Sequence, residues 1–533
     1  MAARHANRRP NEPRERGGLT RRSMGLERRH LPLVLACLVA LLACSLARAQ
    51  SRSLTESFPE QGVQLELPRT YKWLPVQPNE PWVVLQWINP ELAIPSRLQV
   101  VRIDYVRDAG PPMPDENGEL PEPASPVINS WSRYCTQALP RWTTSVLEVG
   151  EPQGKFKARE YELLPSKPNG ERGWAYVWDS RSTRTYALLG WTTDLQFEAE
   201  RKDWRATARK FVISEPEPDP RTEEWRRFYK GRPRFKDAQY RIRVRAGLRG
   251  NWKHEDTENY IVVYNTKDQP LVSRIARDLE SMRTTFLEFF PPDAEMTSVS
   301  TVRLCADRRE YLDFGGQDWT EGYWSADTQE LVLYDSTQRE KAKRTDNSDT
   351  FRVLYHEAFH QFIHHSAGRL APHSWFDEGF GDYFGGAIVK GGKLFNVGLN
   401  SWREPTISKA LENKDFTPWR EIIWYERDDF YGKRTGHAYA QAWSMVYFLN
   451  ESSVVRRHTT WSEILPRYFA ELKDAWANEL GVLRGDGNLE DDFLFREAQK
   501  RARGRAVQAG FDGVQLEELE AAWLEFMGSL SKK

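Results

Sequence analysis

The stretch Phe351–Phe384, FRVLYHEAFHQFIHHSAGRLAPHSWFDEGFGDYF, constrains this chain more than any other. It contains His356-Glu357-x-x-His360. On a helix, residues four apart share one face, so both imidazoles can address one metal ion with the Glu357 carboxylate beside them. Phe351, Leu354, Tyr355, Ala358, Phe359 and Phe362 follow the spacing of a packed helix face, and the two histidines fall off that stripe. Two imidazoles placed in a cleft are costly unless they bind something. Zinc takes a tetrahedral set with one position left for water, so a third protein ligand is required.

The continuation offers one. After His360 the chain can finish its helix at Gly368, turn through Pro372 and begin a second helix near Ser374, carrying WFDEGFGDYF. HExxH followed by a W-x-x-E-G-type helix resembles the gluzincins, the thermolysin-like and zinc aminopeptidase families, with the nearer likeness to the peptidase MA-like group of bacterial proteins. The resemblance spans roughly residues 258–455. It implies Zn2+ held by His356, His360 and Glu378, with Glu357 as general base. Asp382 then takes the position that orients a ligating histidine from behind. A tyrosine or histidine from a later helix stabilises the oxyanion in such families, which points to Tyr439, with His437 as its rival. The three-histidine layout of related enzymes fails, because Ser366 stands where the third histidine is due and Ile363 where a glycine is due. His364, His365 and His373 lie close by; His364 shares the face of His360 and reads either as a substrate contact or as a solvated helix-end imidazole.

The function implied is hydrolysis of peptide bonds through a zinc-bound water deprotonated by Glu357. In relatives the edge strand before the metal helix pairs with extended substrate, which places that role on Thr328–Tyr334. Aminopeptidases of this type carry a G-A-M-E-N-like segment upstream. Here Glu321–Ala326 reads EGYWSA, which favours an endopeptidase. The alternative is a non-catalytic zinc-binding or partner-binding protein on the same fold.

The N-terminus reads as a targeting segment: Arg28-Arg29-His30, an apolar run from Leu31, and a small-x-small site at Ala47–Ala49. The run is too short for a comfortable membrane span, so the mature chain is expected to have none and to be periplasmic or extracellular. Translation can start at Met1 or Met24. Twin-arginine export through Arg21-Arg22 and lipidation at Cys44 are the secondary readings. Only Cys135 and Cys305 survive cleavage, and they are open either to pairing or to burial as separate thiols. Acidic and basic residues balance at 76 each, which argues against a nucleic-acid partner and leaves a peptide or protein as substrate.

The organisation expected is α+β. Residues 1–49 are the signal peptide. Residues 50–215 form an antiparallel α/β sandwich domain, with strands at 63–67, 83–87, 98–105, 155–164, 173–178 and 185–191 and helices at 128–139 and 198–211. Its GVQLELPRTYKW opening and its late helix leading into FVIS resemble PsbP/Mog1-type sandwiches, and it is the candidate partner-binding module. Residues 216–257 read as a charged, proline-rich linker with one strand at Tyr240–Val244. Residues 258–485 form the zincin-like metallopeptidase domain with a helical C-terminal lobe, and 486–533 a helical extension. Gly385–Gly392 reads as a flexible glycine-rich segment.

Overall fold

The computed structural model describes residues 53–530 except 77–79, 81, 93, 106–127, 181, 294, 319, 327, 339–347, 369 and 486–491. The N-terminal stretch expected to direct export, Met1 and Met24, Cys44 and the proline-rich stretch Pro111–Pro126 lie outside the described residues. The described residues are mixed α/β, with antiparallel sheet in the N-terminal region. No helix among them is long and apolar enough to cross a membrane.

Seven antiparallel strands build the first sheet, in the order Lys72–Leu74, Val83–Asn89, Ser96–Asp104, Arg184–Thr193, Glu171–Asp179, Phe156–Pro165 and Trp142–Gln153. Its central strands are apolar on both faces because both faces are covered. Leu98, Val100 and Leu188 pack with Phe197 and Trp204 of the helix Phe197–Arg209. Val101, Ile103, Ala187 and Leu189 pack on the other side with Trp131 and Tyr134 of the helix Trp131–Ala138. The strand Trp142–Gln153 had no alternation to reveal it, since nearly all of it is exposed at the sheet edge.

Residues 220–256 depart from the expected solvated connector. Asp219 and Asp237 cap two helices, Pro220–Lys230 and Ala238–Ala246. Tyr240–Val244 is therefore helical, and the alternation in YRIRV is overridden by the Asp237 cap. Arg241 is fully buried. Its guanidinium donates to Asp256 Oδ1 at 2.8 Å and to the carbonyls of Tyr260, Glu258 and Lys236 at 2.9, 2.7 and 2.7 Å. A buried cation surrounded by acceptors in this way fixes the segment against the second sheet.

That sheet runs Lys253–Asp256, Tyr260–Tyr264, Ser300–Cys305, Glu330–Tyr334, Gly322–Ser325. The middle pairings are parallel and the two outer ones antiparallel. Its period of two divides the side chains. Val262, Val302, Leu304, Leu331 and Leu333 face the helices Gln269–Phe289 and Ser348–Ser366. Ile261, Val263, Val332 and Tyr334 face the other way, into a core shared with Leu74 and Ile88 of the first sheet. The strand expected to form the cleft edge does not do so. Glu330–Tyr334 is an interior strand, and the edge is Gly322–Ser325, which folds back antiparallel along it from Gly322↔Leu333 to Ser325↔Glu330.

Gly391 and Gly392, at φ of 60° and 72°, turn a hairpin between Ala387–Lys390 and Lys393–Val397, where a flexible segment was expected. Helices Thr435–Glu451, Ile464–Gly485, Asp492–Gly510 and Leu516–Leu530 complete the chain and bury Trp443, Tyr468, Trp476 and Trp523 in the main core. Cys135 and Cys305 are separate, buried free thiols; burial pushes the Cys135 thiol up to about 12.

Candidate metal centre

The helix Ser348–Ser366 buries Phe351, Leu354, Tyr355, Ala358, Phe359 and Phe362 as its phase requires, and leaves His356 and His360 only partly covered in a cleft. The second helix, Ser374–Gly385, packs across it and presents Glu378 and Asp382 on one face. Two glycines make this approach feasible. A Cβ at Gly381 would lie 2.8 Å from Cε1 of His356, and one at Gly379 would lie 2.7 Å from the carbonyl of Ala442 on the helix Thr435–Glu451. The EGFGD spacing thus reflects an imidazole seated on one glycine and a helix crossing at the other.

His356, His360 and Glu378 come together as a group able to hold a metal ion. Nε2 of His356 lies 3.0 Å from Nε2 of His360 and 3.1 Å from Oε2 of Glu378, and His360 Nε2 lies 3.5 Å from the same carboxylate oxygen. A tetrahedron with bonds of ~2.05 Å has edges of ~3.3 Å, so the donor triangle fits a zinc-sized ion. The other ring nitrogens are held from behind, His356 Nδ1 by Asp382 Oδ1 at 3.3 Å and His360 Nδ1 by Asp377 Oδ1 at 3.0 Å. An Nδ1–H donated to a carboxylate leaves Nε2 as a lone-pair donor. Arg403 Nε meets Asp382 Oδ2 at 2.6 Å and Asn400 Nδ2 donates to its backbone carbonyl at 2.9 Å, so the supporting carboxylate is itself fixed.

The electrostatics of the cluster point the same way. Burial disfavours the imidazolium of His356, but Asp382 and Glu378 outweigh it and raise His356 to about 9. His360 is raised well above its ordinary range against the same burial, by Asp377 and Glu378. Glu378 is held well below the carboxylate range despite burial, by His360 and His356. Three carboxylates around two imidazoles favour protons on the imidazoles, and a divalent cation would displace those protons.

Glu357 points out of its helix and accepts the backbone N–H of Trp324, on the edge strand, at 2.7 Å. The Trp324 ring lies edge-on to His364 at 5.7 Å. Tyr431 donates to Oε1 of Glu378 and was not singled out in the sequence, because it sits in an irregular stretch just after the helix Arg427–Phe430. Tyr439 lines the cleft 6.0 Å from the Tyr431 ring, with the Arg403 guanidinium 4.7 Å from its own ring centre. His437, the rival to Tyr439, is displaced from the site: it is exposed on the first turn of its helix, 4.0 Å from Asp415, because one residue's separation from the cleft-lining Gly436 turns it about 100° away. His373 is buried before the second helix, where both its backbone N–H and its Nδ1 meet the Tyr468 hydroxyl, at 2.9 and 3.1 Å. The sequence reading also missed Asp377 and Arg403. Asp377, beside a ligand candidate, could have been found; Arg403 arrives from beyond a hairpin and had no local signal.

The cleft has a volume of about 740 Å3 and runs between the edge strand and Tyr439, with Arg352, Trp402 and Arg427 along its far side. No family model matches the sequence, and no curated relative matches it. Its N-terminal part is similar to the solution structure of cyanobacterial PsbP, CyanoP, from Synechocystis sp. PCC 6803, at 11% identity over 31% of this chain and 93% of that one, with a TM-score of 0.23, a likeness too slight to carry an argument.

Proposed function

We propose that this protein is an exported zinc-dependent metallopeptidase of the gluzincin type, acting as an endopeptidase. The observation that carries the reading is the convergence of His356 Nε2, His360 Nε2 and Glu378 Oε2 within 3.0–3.5 Å, each imidazole held at its other nitrogen by a carboxylate. Two imidazoles and one carboxylate are a donor set suited to zinc, whose Lewis acidity would polarise the scissile carbonyl. Glu357 takes a proton from the attacking water and delivers it to the leaving amine nitrogen. The edge strand Gly322–Ser325 has one side paired with Glu330–Tyr334, and its other side can align an extended peptide along the cleft. Tyr439 is the proposed donor to the developing oxyanion, with Tyr431 fixing the Glu378 carboxylate beside it.

The test is metal content of the purified mature chain together with cleavage of an unbiased peptide pool by wild type and Glu357→Gln. One zinc per chain and cleavage lost in the variant support the proposal. Stoichiometric zinc with no cleavage by wild type would establish the partner-binding alternative, and cleavage by Glu357→Gln at the wild-type rate would overturn the assignment of the base.

A further inference from the structure

Behind the second motif helix, facing away from the cleft, lies a second cavity of about 360 Å3. Phe290, Phe380, Leu449, Val455, Trp461 and Phe469 line it, and every one of them is buried. The cavity opens to solvent, where Asn450, Ser462, Arg456 and Lys473 join the lining, so it is built for a guest with an apolar body and a polar end. Its volume is at the low end of small-molecule sites, about 300–1,000 Å3. It therefore suits one apolar chain or ring system and is small for a folded partner.

The rim is charged. Two cations, Arg456 and Lys473, border the cavity. Lys473 lies 5.4 Å from the ring centre of Phe469 and is held by the Pro291 carbonyl at 3.2 Å and by Asp293. Arg456 gives one N–H to the carbonyl of Glu451 at 2.6 Å and forms no ion pair among the described residues. Arg456 and Lys473 are thus the cations at the rim of an apolar-lined well, and of the two only Lys473 has a carboxylate ion-pair partner among the described residues. We propose that this cavity binds a medium-chain carboxylate amphiphile, with its apolar body in the well and its carboxylate on the free donors of Arg456. The site is independent of the hydrolytic reading. The helix Ser374–Gly385 reaches it through Phe380, which follows Glu378 by two residues and packs 4.8 Å from Phe290 and 5.7 Å from Phe359, the neighbour of His360.

The experiment is calorimetric titration of the full mature chain with sodium decanoate, with decanol and with decyltrimethylammonium, each below its micelle-forming concentration. One decanoate per chain is expected, bound about tenfold or more tighter than decanol, as a charge-assisted hydrogen bond would give. Arg456→Glu should weaken decanoate by at least that factor. Ala470→Phe, at an exposed rim position, should block it, with the melting temperature of both ligand-free variants unchanged. No saturable decanoate binding, equal binding of the three amphiphiles, or unchanged affinity in both variants would overturn the proposal. Loss of peptide cleavage would not bear on it, because the readout is ligand heat.

Discussion

The backbone N–H of Trp324 donates to Oε2 of Glu357 at 2.7 Å, so the carboxylate of the HEAFH motif is tied to the edge strand that borders the cleft. The proposed general base must be aimed before it can act, and an amide on a paired strand aims it more rigidly than a side chain would. The two imidazoles are held by carboxylates of the second helix, and Tyr431 and Arg403 hold Glu378 and Asp382 from beyond both helices. The Glu357 contact joins the motif carboxylate to the sheet.

Glu357→Gln should preserve that hydrogen bond through the amide oxygen and preserve metal content, while peptide cleavage falls about a hundredfold or more. Elemental analysis and a discontinuous cleavage assay on the same preparation decide it.

Glu378→Ala should abolish stoichiometric zinc. Asp377→Asn and Asp382→Asn should each weaken it by about 10–100-fold, because each carboxylate fixes one imidazole's tautomer and orientation. Chelator competition measures all three. Full-strength zinc in Glu378→Ala would remove Glu378 from the ligand set.

Tyr431 and Tyr439 are expected to separate by assay. Tyr431→Phe removes the donor to Oε1 of Glu378 and should lower zinc affinity about tenfold. Tyr439→Phe should leave zinc affinity unchanged and lower kcat with little change in KM. A drop in zinc affinity for Tyr439→Phe would reassign it as a positioning residue.

Arg303 and Glu330 pair at 2.6 Å across neighbouring strands, and both are buried. Glu330→Gln should destabilise the fold by about 3–5 kcal/mol in chemical denaturation, since it strands a buried guanidinium. The double variant Arg303→Met/Glu330→Leu should recover most of that loss.

Stability should also fall in acid through His373. Burial, with Arg503 nearby, pushes His373 down to about 3 from an ordinary 6.5. The unfolded chain then binds the extra proton, so this contribution is intact above about pH 6.5 and is lost as the pH drops toward about 3, at up to about 1.4 kcal/mol per pH unit. His373→Asn should flatten the slope of unfolding free energy against pH across that window, relative to wild type in the same metal-free buffer.

The sequence by itself determined what local periodicity and spacing carry. The buried face Phe351 to Phe362, the i, i+4 placement of His356 and His360, and the second pair Glu378 and Asp382 were all legible, because helical phase alone puts each pair on one side. Most strands of the first sheet were legible from their apolar runs, and the strand Trp142–Gln153 was not, because it lies exposed at an edge. Only the tertiary structure decided which strand forms the cleft wall, since TQELVLY read as the edge strand, EGYWSA was not read as a strand, and order within a sheet is a non-local pairing. The same holds for Tyr431 and Arg403, which reach Glu378 and Asp382 from 53 and 21 residues away. It holds too for Arg241, whose burial depends on acceptors that the neighbouring strands bring to it. Local phase fixes which side chains share a face; only the packing of distant segments decides what that face meets.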